Sequence, residues 1–311
     1  MKPGALTGLA IGDALGAPWE FKNPTLVRQA NWKGNFVATP RSRLKAGQWT
    51  DDTKMALALS FALVDAAAFD PEVVASKYIN WYNSGDLRGI GNQTNTAIGR
   101  MIMGEDLAKC GSIDNTIGFK DNRFCGNGTV MRCAPIGIFF RDNEEEMLRA
   151  ASVDAILTHD HIDAIDSSIA LCLAMQSENP QELLDRLSSV VSQKGNVFLE
   201  IKKAAEMLGN DPYTVGSVIP NDGCAHRTIA SSLWCAWKWP NDYKKAVVEA
   251  IKMGGDADTR GAITGAVMGA KLGFEGIPIE YINGVEDSEL LYNMDQALFA
   301  GPKGIKKAKN G

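Results

Sequence analysis

The strongest constraint in this sequence is a pair of glycine rows. Gly4, Gly8, Gly12 and Gly16 recur at a spacing of four, and so do Gly261, Gly265 and Gly269, with alanines at many neighbouring positions. That spacing returns to the same side of an α-helix, where each interior glycine costs about 1 kcal/mol relative to alanine. A row of them on one face makes sense where another backbone lies close against that face; loose, loop-like glycine is the competing reading. Pro18 then supplies a stop to the first helix. The expectation is that the two glycine-faced helices lie near each other in the core.

The rest of the chain reads as helix. Asp52–Ala67, Pro71–Tyr82, Ile162–Met175, Pro180–Ser192, Asn196–Leu208 and Asp242–Met253 carry helix-spaced apolar residues and good helix formers. Alternating β-rich runs are scarce, and only short stretches such as Ile136–Phe140 pass for strand. Asn/Gly/Asp clusters mark loops at Asn83–Gly91, Asp121–Gly128 and Pro220–Gly223. Neither a tandem repeat nor a low-complexity linker divides the chain. A single all-α domain over residues 1–311 is predicted.

Composition narrows the function classes. The formal charge of −5 gives no argument for nucleic acid, which favours a basic face. The first residues run straight into the Gly/Ala pattern, without the charged and apolar regions of a signal peptide. The apolar runs are too short and too interrupted for a membrane span. A cytoplasmic protein, expected to be a monomer, follows. Of the six cysteines (110, 125, 133, 172, 224 and 235) none forms a Cys-x-x-Cys pair, so buried free thiols are expected and a zinc ribbon is not. With three histidines in all, a His-rich metal site is improbable; oxygen ligands, and hence Mg²⁺ or Mn²⁺, are the alternative.

Five segments hold residues with chemistry. Gly47–Thr53 contains Thr50, Asp51 and Asp52 just before the apolar run Met55–Val64. Capping explains one such residue, but two adjacent carboxylates repel unless a cation or water lies between them. Gly254–Gly261 holds Asp256, Asp258 and Thr259 at another helix start, after a glycine pair that frees the backbone. Two such helix starts offer six oxygen ligands, suited to one or two hard divalent cations. Glu20 follows the proline stop among apolar neighbours; it reads either as a surface glutamate or as a general acid/base. The Gly126-Asn127-Gly128 loop reads as a simple turn or as an anion cradle of backbone N–H groups. His159, in Thr158-His159-Asp160-His161, reads as a satisfied helix-end histidine or as a substrate contact.

Together these segments resemble the ADP-ribosylglycohydrolase family. The resemblance rests on G-L-A-I-G-D-A-L-G-A-P-W-E at Gly8–Glu20, W-T-D-D-T at Trp49–Thr53 and R-G-I-G-N-Q-T at Arg88–Thr94. It continues through G-N-G-T-V-M-R-C-A-P at Gly126–Pro135, T-H at Thr158–His159 and G-G-D-A-D-T at Gly254–Thr259. Six blocks in order are far more specific than any one of them; only the region about Ser177–Pro220 lacks a matching motif. The resemblance implies an all-α fold, a compact multi-helix orthogonal bundle, with two Mg²⁺ or Mn²⁺ ions held by Thr50, Asp51, Asp52, Asp256, Asp258 and Thr259. It implies a catalytic or metal-gating role for Glu20. Gly91, Asn92, Gly126, Asn127, Gly128, Met131 and His159 fall on segments that would hold ADP-ribose. Arg260 departs from the small or uncharged residue more familiar there, and is expected to face a phosphate or solvent.

The implied reaction is hydrolysis of the bond between ADP-ribose and a modified side chain, arginine favoured, on an ADP-ribosylated protein or a small ADP-ribose conjugate. Its transition state has oxocarbenium character. Two rivals stand beside it: a catalytically silent ADP-ribose-binding protein on the same scaffold, and a two-metal phosphohydrolase. No P-loop favours the latter.

Overall fold

A computed structural model describes residues 1–39, 44–112 and 125–310. Among these residues the protein is all-α, with three isolated β-bridges and no sheet. At its centre lie the helices Ala5–Gly16 and Ala257–Leu272. Every residue of the first is buried, as are residues 257–270 of the second. The glycine rows are the reason. A methyl group added at Gly8 would lie 2.3 Å from the carbonyl oxygen of Gly265, and one at Gly12 only 2.0 Å from that of Gly261. At Gly4 it would press on the backbone at Gly273 and Gly269. The two backbones are therefore in direct contact, and the pairing order makes the helices antiparallel. The propensity lost to glycine is offset by packing that no side chain would permit.

The antiparallel pairing has a consequence for chemistry. It sets the C-terminal end of the first helix, beyond which Glu20 follows a short 3₁₀ turn at Ala17–Trp19, beside the acidic start of Ala257–Leu272. A third helix, Asp51–Ala66, is docked at the same place by Asp13. Buried in the first helix, Asp13 accepts hydrogen bonds from the backbone N–H groups of Thr50 (3.0 Å) and Thr53 (3.1 Å) and from both threonine hydroxyls (2.8 and 2.6 Å). At the opposite end, where Gly4 offers no side-chain cap, Asp295 from the kinked helix Ser288–Asn310 accepts from Leu6 and Thr7. Helix ends leave N–H groups unpaired, and here distant carboxylates take them up.

The remaining predicted helices are present with boundaries shifted by a few residues at most: Asp51–Ala66, Pro71–Asn83, Ile162–Gln176, Pro180–Val190, Val197–Glu206 and Tyr243–Lys252. Asp70, Asn179 and Asp242 cap three of them with side-chain oxygens. Ile136–Phe140 is not strand. It belongs to the helix Ala134–Phe139, started by Pro135 in its first turn and packed through Gly137 against Cys172 and Met175. The segment is apolar on all sides because all its sides are buried, which is why periodicity alone did not mark it as helix. Of the Asp121–Gly128 loop, residues 121–124 lie outside the described residues. None of the helices described is long and apolar enough to cross a membrane.

Candidate active site

A cavity of about 240 Å³ opens where the three helix ends meet. Glu20, Asp51, Asp52, Asp256, Asp258 and Thr259 line it, and so do Gly91, Asn92, Gly126, Asn127, Gly128, Met131 and His159. Thr50, behind this lining, is tied to Asp13. Side-chain oxygens of Glu20, Asp256 and Asp258 lie within 4.8 Å of one another. The two ends of the chain thus converge at one point.

The residues at the N-cap positions of the two acidic helices are not spent on capping. Asp70, Asp211 and Asp242 accept N–H groups of their own first turns, as an N-cap should. Asp256 and Thr50 occupy the same position on their helices and make no such bond. Gly254 and Gly255, both at positive φ (72° and 71°), turn the chain so that Asp256 faces the cavity. Asn221 holds this turn by accepting from the Asp256 N–H (3.2 Å) through its carbonyl and donating its amide to the Asp256 carbonyl. Asn127 donates to the Asp256 carboxylate (2.8 Å). Its own N–H is taken by the carbonyl of Gly223 (2.9 Å), so the amide and N–H of Asn127 support the acidic cluster instead of an anion cradle.

Crowding these carboxyls together has the expected electrostatic result. Burial, and then the neighbouring anions, push Asp51, Asp52 and Asp258 well above the usual carboxylate range. Burial, with Asp256 and Asp13, raises Glu20 to about 7. One oxygen of Asp52 is buried without a hydrogen-bond partner. A buried polar atom in that condition is costly. A group of anions with an unmet acceptor fits a positively charged ligand with oxygen affinity.

His159 is a buried member of the cavity lining. Its Nδ1 lies 2.8 Å from the Thr158 hydroxyl, which also accepts from Arg132 (2.8 Å). Arginine can only donate, so it takes one lone pair of the Thr158 hydroxyl, which keeps a second lone pair and its own hydrogen to meet Nδ1. Burial, Arg132 and His161 hold the His159 pKa down to about 3, leaving a neutral imidazole. Gly126 and Gly128 are needed beside it: a side chain at either would lie 2.9 or 2.7 Å from the imidazole ring. Arg132 in turn pairs with Asp154 (3.0 Å), which accepts from Tyr78 (2.7 Å), in a fully buried network that also holds the Gly128 carbonyl.

The ADP-ribosylglycohydrolase model matches residues 3–306. The chain belongs to the ADP-ribosylglycohydrolase family. It is accordingly a hydrolase acting on glycosyl bonds. It is 29% identical to ADP-ribosylarginine hydrolase Tri1 of Pseudomonas putida, over 95% of this chain and 77% of that one. It is 26% identical to ADP-ribosylhydrolase ARH3 of Bos taurus, over 93% and 90%. A solved structure titled ADP-ribosylglycohydrolase-related protein complex superposes with a TM-score of 0.72 at 28% identity, covering 95% of both chains.

On this family member two expectations are corrected. Arg260 faces neither phosphate nor solvent. It is fully buried and donates to Ser231 (3.0 Å) and to the carbonyls of Ala250 (3.2 Å) and Gly254 (2.8 Å). It thus ties the C-terminal end of Tyr243–Lys252 to the glycine turn that follows it. Nor are all cysteines free: Cys125 and Cys224 are bonded, while 110, 133, 172 and 235 are buried thiols. The bond joins two segments already paired by a bridge between Gly126 and Cys224. Sequence reasoning also passed over Asp13 and Phe21. An acid embedded in a glycine–alanine helix was the available signal for the first; the second gave none.

Proposed function

We propose that this protein removes ADP-ribose from a modified side chain, arginine favoured, by divalent-metal-dependent hydrolysis of the glycosidic bond. The observation that carries this reading is the convergence of Asp51, Asp52, Asp256 and Asp258 with Glu20 on one cavity, where burial and neighbouring anions hold Asp51, Asp52, Asp258 and Glu20 above the usual carboxylate range. Thr50, Asp51, Asp52, Asp256, Asp258 and Thr259 would hold two Mg²⁺ or Mn²⁺ ions, whose hard, oxygen-seeking charge suits this donor set. When bound, such ions supply Lewis acidity toward ribose hydroxyls and water.

The chain's own groups supply the rest. Asp13 accepts a hydrogen bond from the Thr50 hydroxyl, which leaves the threonine oxygen's lone pairs to a ligand. Glu20 handles a proton at the scissile bond: water's oxygen bonds to the anomeric carbon as the bond to the leaving nitrogen breaks, and that nitrogen receives a proton. A neutral His159 with its hydrogen on Nε2 would donate to a ribose or phosphate oxygen, and Gly126 and Gly128 let that ligand come close to the ring. The name ADP-ribosylarginine hydrolase carried by the Pseudomonas putida relative supports arginine as the modified residue.

The test is release of free ADP-ribose from an ADP-ribosyl-arginine conjugate, with Mg²⁺ or Mn²⁺ and then with chelator. Metal-dependent appearance of intact ADP-ribose is expected. Release of AMP would point to a phosphohydrolase instead, and tight binding of ADP-ribose without turnover to a silent binding protein.

A further inference from the structure

Among the residues lining the cavity, Phe21 is exposed where an apolar ring gains least. Its side chain is 66% exposed, the highest of any large apolar residue near the site. Its backbone is held at φ 51°, a conformation bulky side chains rarely adopt. The other non-glycine residues at positive φ among those described are Asn31, Ala67 and Asp287, each small or polar. The position is not loose: the Phe21 N–H donates to the Gly255 carbonyl (2.7 Å), and Lys22 bridges to the same glycine. The neighbouring ring of Trp19 is directed elsewhere, packed against Trp32 at 5.4 Å. Among the described residues no ring stacks on Phe21 and no cation lies over it. Backbone strain that persists at a functional site and serves no packing contact points to a ligand.

The ligand's chemistry follows from place. Phe21 directly follows Glu20, the proton-handling carboxyl, lines the same cavity, and is pinned to the Gly255 carbonyl, next to Asp256. A ring there meets the leaving group. We infer that Phe21 is the platform on which a planar cationic leaving group, the guanidinium of a modified arginine, stacks, and that it sets the preference of the site for arginine over hydroxyl-linked conjugates. This rests on the hydrolase reading above. A flat cation is attracted to the face of an aromatic ring within about 6 Å. A serine hydroxyl has no charge or plane to present.

The test compares kcat/KM of the metal-loaded full chain on an ADP-ribosyl-arginine conjugate and on an ADP-ribosyl-serine peptide. Phe21→Leu keeps apolar bulk and removes the π face; it is expected to lower the arginine-to-serine ratio about tenfold, mainly through KM for arginine. Phe21→Trp should keep or raise the ratio. Phe21→Gly, free of the backbone strain, should melt no lower than wild type and share the loss, which separates recognition from folding. An unchanged ratio in Phe21→Leu, or equal losses on both conjugates, overturns the inference while leaving the hydrolase reading intact. Wild-type turnover of the serine peptide alone also overturns it. If wild type releases ADP-ribose from neither conjugate, the hydrolase reading itself fails.

Discussion

Gly12→Ala tests the helix contact on which the site is built. The new methyl carbon would lie 2.0 Å from the Gly261 carbonyl oxygen and 2.8 Å from the Ala262 nitrogen. These are backbone atoms of a fully buried helix and cannot rotate away, so the helices must part by roughly 1 Å or more to reach ordinary contact distance. Overpacking of a rigid core costs about 3 kcal/mol at the upper end of the usual range. Alanine's better helix propensity returns about 1 kcal/mol. A net loss of about 2 kcal/mol in a chain of 311 residues corresponds to a fall in Tm of about 3 °C. Gly99 supplies the matched control: it lies inside the helix Asn92–Ile102 with nothing within 4 Å of the added carbon. Gly99→Ala should therefore raise Tm slightly, by about 1 kcal/mol of propensity. Calorimetry of the two variants beside wild type decides the matter. A Gly12→Ala protein as stable as wild type, or two variants shifted in the same direction, would refute the close-packing account.

Two further outcomes follow from buried carboxyls. Asp13→Ala strips the partners from the N–H and hydroxyl groups of Thr50 and Thr53 and should cost about 2–4 kcal/mol in denaturant titration; a loss below about 0.5 kcal/mol would mean that Asp13 does not dock the Asp51–Ala66 helix. Burial and the nearby Asp163 raise Asp166 to about 6, against the Ser192 N–H that lowers it. Because the folded state prefers the protonated form, its ionisation removes stability as pH rises from about 4 to about 6. Asp166→Asn should therefore gain Tm over wild type by more at pH 7.5 than at pH 4, and a difference independent of pH would contradict the assignment.

The fold was largely legible because its signals are local or strictly periodic. The glycine rows announced their own contact, and helices such as Pro71–Asn83 and Ile162–Gln176 follow from apolar spacing and caps. The acidic site was legible for a different reason: Asp51-Asp52 and Asp256-x-Asp258 concentrate more charge at a helix start than capping requires. Whatever depends on a partner remote in the chain was not legible. Arg260 looks like a free cation until the end of Tyr243–Lys252 is seen beneath it, and Asn127 looks like a loop residue until Asp256 lies against it. The bond between Cys125 and Cys224 joins residues 99 apart with no spacing signal. Ile136–Phe140 was misread because burial on every side erases periodicity.

Manganese titration followed by electron paramagnetic resonance reaches the central claim most directly. Wild-type protein should take up two Mn²⁺ per chain, and Asp52→Asn and Asp258→Asn, one from each end of the sequence, should each weaken that uptake while keeping the helical spectrum. Undiminished Mn²⁺ binding in either variant would show that the two acidic segments do not share their ions.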